Sequence, residues 1–159
     1  MKYPIDYKEV TGKTEYHLEL VKVHTEAVAY LMGFVWCKKV INSYVYLNLG
    51  STLSIFLFEI NNSASSDDNY LWIVVGDIPP MYLDIHGPKT TKEVLEDYIR
   101  LAEDWIMHVK DGRSVKSCYP FKAEPILEMA TLLEKRITFM KNTLIDNIED
   151  IPLFKPSTG

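Results

Sequence analysis

A chain of 159 residues that is 47% apolar and 12% aromatic has enough surface to bury against its own conformational entropy, which excludes a disordered or fibrous chain and points to one domain. Its 22 acidic and 17 basic residues leave a formal charge of -5, and the dispersed cations exclude nucleic-acid phosphate as the main ligand. Two cysteines outside any CxxC pair exclude a disulfide framework, and the absence of an apolar run of about eighteen residues excludes a membrane-spanning helix; the expectation is a cytoplasmic protein.

Residues 1 to 13 lack periodicity and contain Pro4 and Gly12, so a loosely ordered arm is expected. From Thr14 to Trp36, Leu18, Val21, Val28, Leu31, Met32 and Val35 fall near helical spacing, whereas YHLELVKV alternates as a strand does; helix is favoured over most of this span. In SYVYLNLGSTLSIFLFEI, β-branched and aromatic residues dominate and Gly50-Ser51 separates two runs of strand length. Residues 43 to 49 and 53 to 60 should pair as an antiparallel hairpin. The run LSIFLFEI has little polar alternation, as a central strand covered on both faces requires. NNSASSDDN at 61 to 69 follows, a polar loop with no side chains to hold it down, expected to be the most mobile segment.

YLWIVVGD predicts a third strand and MYLDI a short fourth, with Gly76-Asp77-Ile78-Pro79-Pro80 between them. Glycine can take a positive φ, Asp77 can bond nearby amides, and two prolines withhold two donors from any ladder, so this segment must turn or leave the sheet edge. Thr90 and Glu93 have capping-box spacing and start a helix whose apolar face runs through Val94, Leu95, Tyr98, Ile99, Ala102, Trp105, Ile106 and Val109, with Gly112 as its C-terminal cap. After the linker DGRSVKSCYPFKAE, Pro125 suits a first helical turn. Ile126, Met129, Ala130, Leu133, Ile137, Met140 and Leu144 then give a second long helix to about residue 147. The tail from 148 to 159, with Pro152 and Pro156, should be less ordered. The predicted fold is a single α+β domain over 1–159, an antiparallel sheet of about four strands packed against two long C-terminal helices and an N-terminal helix.

Chemistry-bearing residues are few. His17, His24 and Cys37 share the first third of the chain, but no tight ligand pair of the zinc type exists, so no metal and no cofactor is expected. Asp77, Asp84 and His86 surround the Pro-Pro turn and could act as acid, base or ligand; turn chemistry explains them more simply. Asp67 and Asp68 lack the alternating ligands of a calcium loop and are assigned to solvent. Cys118 has Lys116 and Lys122 nearby, yet a lone cysteine beside an aromatic is more often packed. Trp72 and Trp105 lie at apolar-face positions and belong to the core. Trp36, with Tyr70, Tyr82, Tyr98 and Tyr119, is left to line a binding surface beside the Pro-Pro turn.

FVWCKKV, FLFEI, LWIVVGDIPPMYLDI, VLEDYIRLAEDWI and YPFKAEPILEMATLLEKRI, in that order, resemble a group of bacterial proteins without an assigned activity, over most of residues 26 to 140. By type, the chain also resembles the immunity proteins of polymorphic toxin systems, which implies a non-enzymatic protein that binds and blocks a cognate toxin. A basic toxin domain is the expected partner, steered by Asp67, Asp68, Glu96, Asp97, Glu103 and Asp104. The expected binding residues are Trp36, Tyr82, Asp77, Asp84, His86 and Tyr119. Two alternatives stay open: a small enzyme or ligand-binding protein with a pocket near Gly76-Asp77-Ile78-Pro79-Pro80, and a structural homodimer.

Overall fold

A computed structural model describes residues 2–10 and 15–154. Five strands form one antiparallel sheet in sequence order: β1 (Ile5–Asp6), β2 (Cys37–Asn48), β3 (Leu53–Asn62), β4 (Tyr70–Gly76) and β5 (Met81–Asp84). Helix α1 (Glu15–Met32) precedes β2, and α2 (Thr91–Lys110) and α3 (Leu127–Phe139) follow β5, the last continuing into a π turn at Met140–Leu144. The predicted α+β class with an antiparallel sheet, one N-terminal and two C-terminal helices is the observed one, with a fifth strand added.

The sheet is buried on both faces. Strand alternation sends Ile55, Leu57, Trp72 and Val74 towards α2 and α3, and Phe56, Phe58, Ile73 and Val75 towards α1. That double burial explains why β3 reads as a continuous apolar run: Leu53 through Phe58 are all buried. Trp72 and Trp105 are core residues as expected, and the indole of Trp72 donates to the Pro88 carbonyl at 3.0 Å. On α1 the buried stripe is Leu20, Val23, Ala27, Tyr30 and Leu31, while Leu18, Met32 and Val35 of the expected face are exposed. The chosen stripe keeps a spacing of three and four without a break, and it brings an aromatic ring to the sheet.

Strand β2 starts at Cys37, well before residue 43; two of the three register irregularities in its pairing with β3, at Cys37/Lys39 and Val40/Asn42, break the alternation of its first half and hide it from the sequence. The described part of the arm is ordered: Ile5 and Asp6 pair with Val45 and Tyr44, and the Asp6 side chain accepts from the Lys8 amide to open a 3-10 turn. Gly12 lies outside the described residues. Segment 61–69 is likewise held by its own side chains, against expectation. Asn62 accepts from the amides of Ala64 and Ser65 at 2.9 and 3.2 Å and donates to the Asp68 carbonyl at 3.1 Å. Ser65 caps the 3-10 turn Ser66–Asp68.

Gly76 has φ 149°, and any Cβ there would run into the Thr52 carbonyl, to which the Asp77 amide donates at 3.1 Å. The prolines sit in the β4–β5 turn, outside the ladder, and the Tyr98 hydroxyl holds the Pro79 carbonyl at 2.8 Å. Thr90 caps α2 by accepting from the Glu93 amide at 3.2 Å; Glu93 itself reaches back to the Lys89 amide. At the other end Gly112, with φ 68°, donates to the Val109 carbonyl and Arg113 to that of His108, which is a Schellman closure. The tail is anchored as far as residue 154: Thr91 donates to Ile151, Leu153 to Lys89, and the Phe154 amide to the Tyr46 hydroxyl. Its remainder, with Pro156, lies outside the described residues. Among the described residues no helix is long and apolar enough to cross a membrane.

Candidate functional site: an aromatic groove at the sheet edge

Strand β5 is an outer strand, so the backbone groups of Tyr82 that point away from β4 need partners from elsewhere. The linker between α2 and α3 supplies one. The Tyr119 hydroxyl accepts from the Tyr82 amide at 3.0 Å and donates to the Tyr82 carbonyl at 3.2 Å. Its remaining lone pair faces the Tyr30 hydroxyl at 3.3 Å, so one phenol uses its full bonding capacity. Burial raises the pKa of Tyr30, Tyr82 and Tyr119 above the ordinary phenol value, and the network stays protonated at neutral pH.

The Tyr82 ring then faces outward into an aromatic cluster. Phe34 stacks on Trp36 with centroids 5.0 Å apart, and Tyr82 meets both edge-on at 5.2 Å. Trp36 occupies the α1–β2 junction, between the end of the helix and the first residue of the strand, and packs half-buried at the rim of the core on the α1 face. A groove of about 320 Å³ opens here, lined by Trp36, Tyr82, Leu83, Asp84 and Asp68 and by the turn from Asn62 to Ser65. Asp84 ends β5 by accepting from the amides of His86 and Gly87 at 2.8 and 3.2 Å. His86 places Nε2 3.9 Å from Asp68 Oδ1, with both side chains solvent-exposed. The groove thus has an aromatic floor, two carboxylates on its rim and no Lys or Arg in its lining.

Of the six expected binding residues, Trp36, Tyr82 and Asp84 line this groove, His86 stands beside it, and Tyr119 supports it from behind. Asp77 does not join them. It pairs with Arg136 at 2.5 Å on the rim of a second cavity of about 320 Å³, between the Gly76–Pro80 turn and α3, whose walls include Ile78, Trp105, Lys122 and Leu132. Asp77 and Asp84 flank opposite ends of β5, so the Asp77, Asp84 and His86 trio does not converge as an acid-base centre. Tyr98 is fully buried under the Pro-Pro turn and Tyr70 pairs across from Glu59; neither lines the groove.

His24 stacks on Tyr7 with centroids 3.5 Å apart and bonds the Ser43 hydroxyl at 2.7 Å, while Cys37 lies against the Met32 sulfur. His24 and Cys37 are therefore committed to separate partners. Asp68, expected on sequence grounds to face solvent and steer a partner, lines the groove itself, as do Asn62, Ala64, Ser65, Leu71 and Leu83, which were not expected there; Phe34, stacked on Trp36, backs the aromatic cluster without lining the groove. The signal for Phe34 was its spacing of two from Trp36 in FVWC, at the end of a helix. Comparison with protein families, with curated proteins and with solved structures found no match to this chain.

Proposed function

We propose that the chain is a non-enzymatic binding protein whose groove receives a basic side chain from a protein partner. In its most concrete form it is a bacterial immunity-type protein that neutralises a basic toxin domain. The observation that supports this reading is the meeting of Trp36 and Tyr82 with Asp68 and Asp84 in one groove without a cation in its lining. A cation over an aromatic face contributes about 0.5–2 kcal/mol, depending on how far it is desolvated. The carboxylates and the net charge of -5 add attraction at longer range. Several acids expected to steer a partner are already occupied: Asp97 pairs with Arg100, Glu103 with Lys141, and Asp104 lies beside His108. Asp68 of the groove lies 3.9 Å from His86 Nε2 with both side chains exposed, so an incoming cation meets that carboxylate from solvent.

The reading is tested with fluorescein-labelled arginine-rich peptides and their citrulline counterparts, by fluorescence anisotropy of the label, which reads binding equally in the wild type and in variants that lack Trp36. Binding should weaken at least tenfold for citrulline, for Trp36→Ala and for Asp68→Asn/Asp84→Asn. For the toxin form, the double Asn variant should no longer protect cells producing a toxin encoded beside this chain. Equal affinity for charged and neutral peptides, or indifference to the groove variants, overturns the reading. A second reading, a small-ligand site, is favoured by the cavity at the Gly76–Pro80 turn, whose size is at the lower end for such sites. A homodimer joined through the β5 edge would have to displace Tyr119 from Tyr82.

A further inference from the structure

Outside the groove, one cluster among the described residues brings three different ligand types together. Asp104 and His108 stand four residues apart on α2 and therefore share a face, and Cys118 comes back onto that face from the linker. One ligand atom from each lies within 4.8 Å of the other two. In a tetrahedral site with metal–sulfur near 2.3 Å and metal–nitrogen or –oxygen near 2.1 Å, ligand atoms are about 3.4–3.6 Å apart. Rotamer adjustments of about an ångström therefore close the site around an ion.

From this geometry we infer that Asp104, His108 and Cys118 form a three-ligand site for a borderline-soft divalent cation of the zinc class, with a fourth position open to water. A thiolate and an imidazole select against the hard cations calcium and magnesium, which prefer all-oxygen shells. Burial differs across the set in a useful way: Cys118 is buried, His108 half-buried and Asp104 exposed, so the ion enters from the carboxylate side. The Cys118 backbone is already positioned by its amide, which donates to the Val115 carbonyl at 3.0 Å. His108 Nδ1 lies 2.8 Å from the Asp104 carbonyl and 3.5 Å from its Oδ1. Coordination through that nitrogen exchanges the backbone contact for the metal. The thiol proton is released to solvent when the sulfur binds, so uptake of one ion liberates one proton from Cys118.

The position gives the site a structural consequence. Cys118 immediately precedes Tyr119, so an ion bound here clamps the linker to α2 one residue before the phenol that covers the β5 edge. The sequence hides the site because Asp104 and His108 form no recognised zinc pair and Cys118 lies ten residues further on, beyond a helix end and a turn.

Cobalt(II) is the probe, titrated into reduced full-length protein. The expected result is one equivalent bound, with a near-ultraviolet sulfur-to-cobalt charge-transfer band and visible bands of tetrahedral intensity. Zinc should displace the cobalt and, at a hundredfold excess over its Kd, raise the Tm by roughly 5–10 °C. Cys118→Ser should abolish the charge-transfer band, and Asp104→Asn, an exposed change that leaves packing alone, should weaken binding at least tenfold. Cys37→Ser should leave the spectrum unaltered. Absence of the band in protein with a native circular dichroism spectrum, its persistence in Cys118→Ser, or its loss in Cys37→Ser would overturn the assignment.

Discussion

Replacing Tyr119 with Phe removes a single oxygen but strands three polar groups. The Tyr82 amide and carbonyl lose partners at 3.0 and 3.2 Å, and the Tyr30 hydroxyl loses one at 3.3 Å. A buried donor or acceptor left without a partner costs about 1–3 kcal/mol. Tyr82 is half-buried, so water recovers part of that loss, whereas Tyr30 is buried. The net destabilisation should be about 2 kcal/mol, because the ring itself keeps its packing in the Phe variant. In urea, with a slope of about 2 kcal/mol/M for a chain of this size, the unfolding midpoint should fall by roughly 1 M. Native-state hydrogen exchange gives the local readout, since the Tyr82 amide should exchange about thirtyfold faster, the factor that corresponds to ~2 kcal/mol. A midpoint shift below about 0.25 M, together with unchanged protection at Tyr82, would refute the idea that this phenol closes the edge strand.

Gly76→Ala combines a φ of 149° with a collision against the Thr52 backbone, so it should cost about 4 kcal/mol and lower the Tm by roughly 10 °C. Gly87→Ala, with nothing within 4 Å of the added methyl, should stay within about 0.5 kcal/mol of wild type in the same thermal scan. Burial lowers the pKa of His24 from 6.5 to about 4; the unfolded chain therefore takes up the proton first as pH falls, and folding loses stability between pH 6.5 and 4. At full weight the difference is ~3 kcal/mol, and the residual water contact of the ring reduces it to about 2 kcal/mol. Urea titrations at pH 7 and pH 4 should show that excess loss in wild type relative to His24→Gln, and parallel losses in the two proteins would remove His24 as the cause.

What was legible in the sequence was what depends on local periodicity and end chemistry. The Thr90 cap, the Gly112 terminus and the stripe through Val94, Tyr98, Ala102 and Trp105 lie within one helix, and each is visible in its own neighbourhood. The central position of β3 could be read from its lack of polar alternation, because burial on both faces acts on every residue of the strand. What could not be read were pairings between distant segments. The arm reads as loose because two residues cannot show a period, yet Ile5 and Asp6 find Val45 and Tyr44 across about forty positions. Segment 61–69 reads as free because polar residues have no periodic signature; Asn62, however, can accept and donate at once, and it organises the turn. On α1 two apolar stripes overlap, and Leu20, Val23 and Ala27 are buried while Leu18 and Met32 are exposed, a choice made where the helix meets the sheet rather than within the helix itself.

The same distinction explains why the groove lies where it does. With helices on both faces, the sheet has no broad surface left to offer a partner, and its exposed backbone and half-covered rings are confined to the edges. Trp72 and Trp105 lie under the helices and are consumed by packing; Trp36, past the end of α1 and beside an edge strand, has rings on one side and open space on the other. Periodicity already places Trp72 and Trp105 on apolar faces and leaves Trp36 outside one; topology adds that Trp36 stands at the sheet edge, with its ring against Tyr82 of β5. The carboxylates arrive by the same route, because Asp84 ends β5 and Asp68 ends the turn leading into β4, and chain reversals at an edge favour aspartate for its bonds to nearby amides. At Tyr82 the outward amide and carbonyl of the edge strand are both taken by Tyr119, so a further strand could pair there only by displacing that phenol.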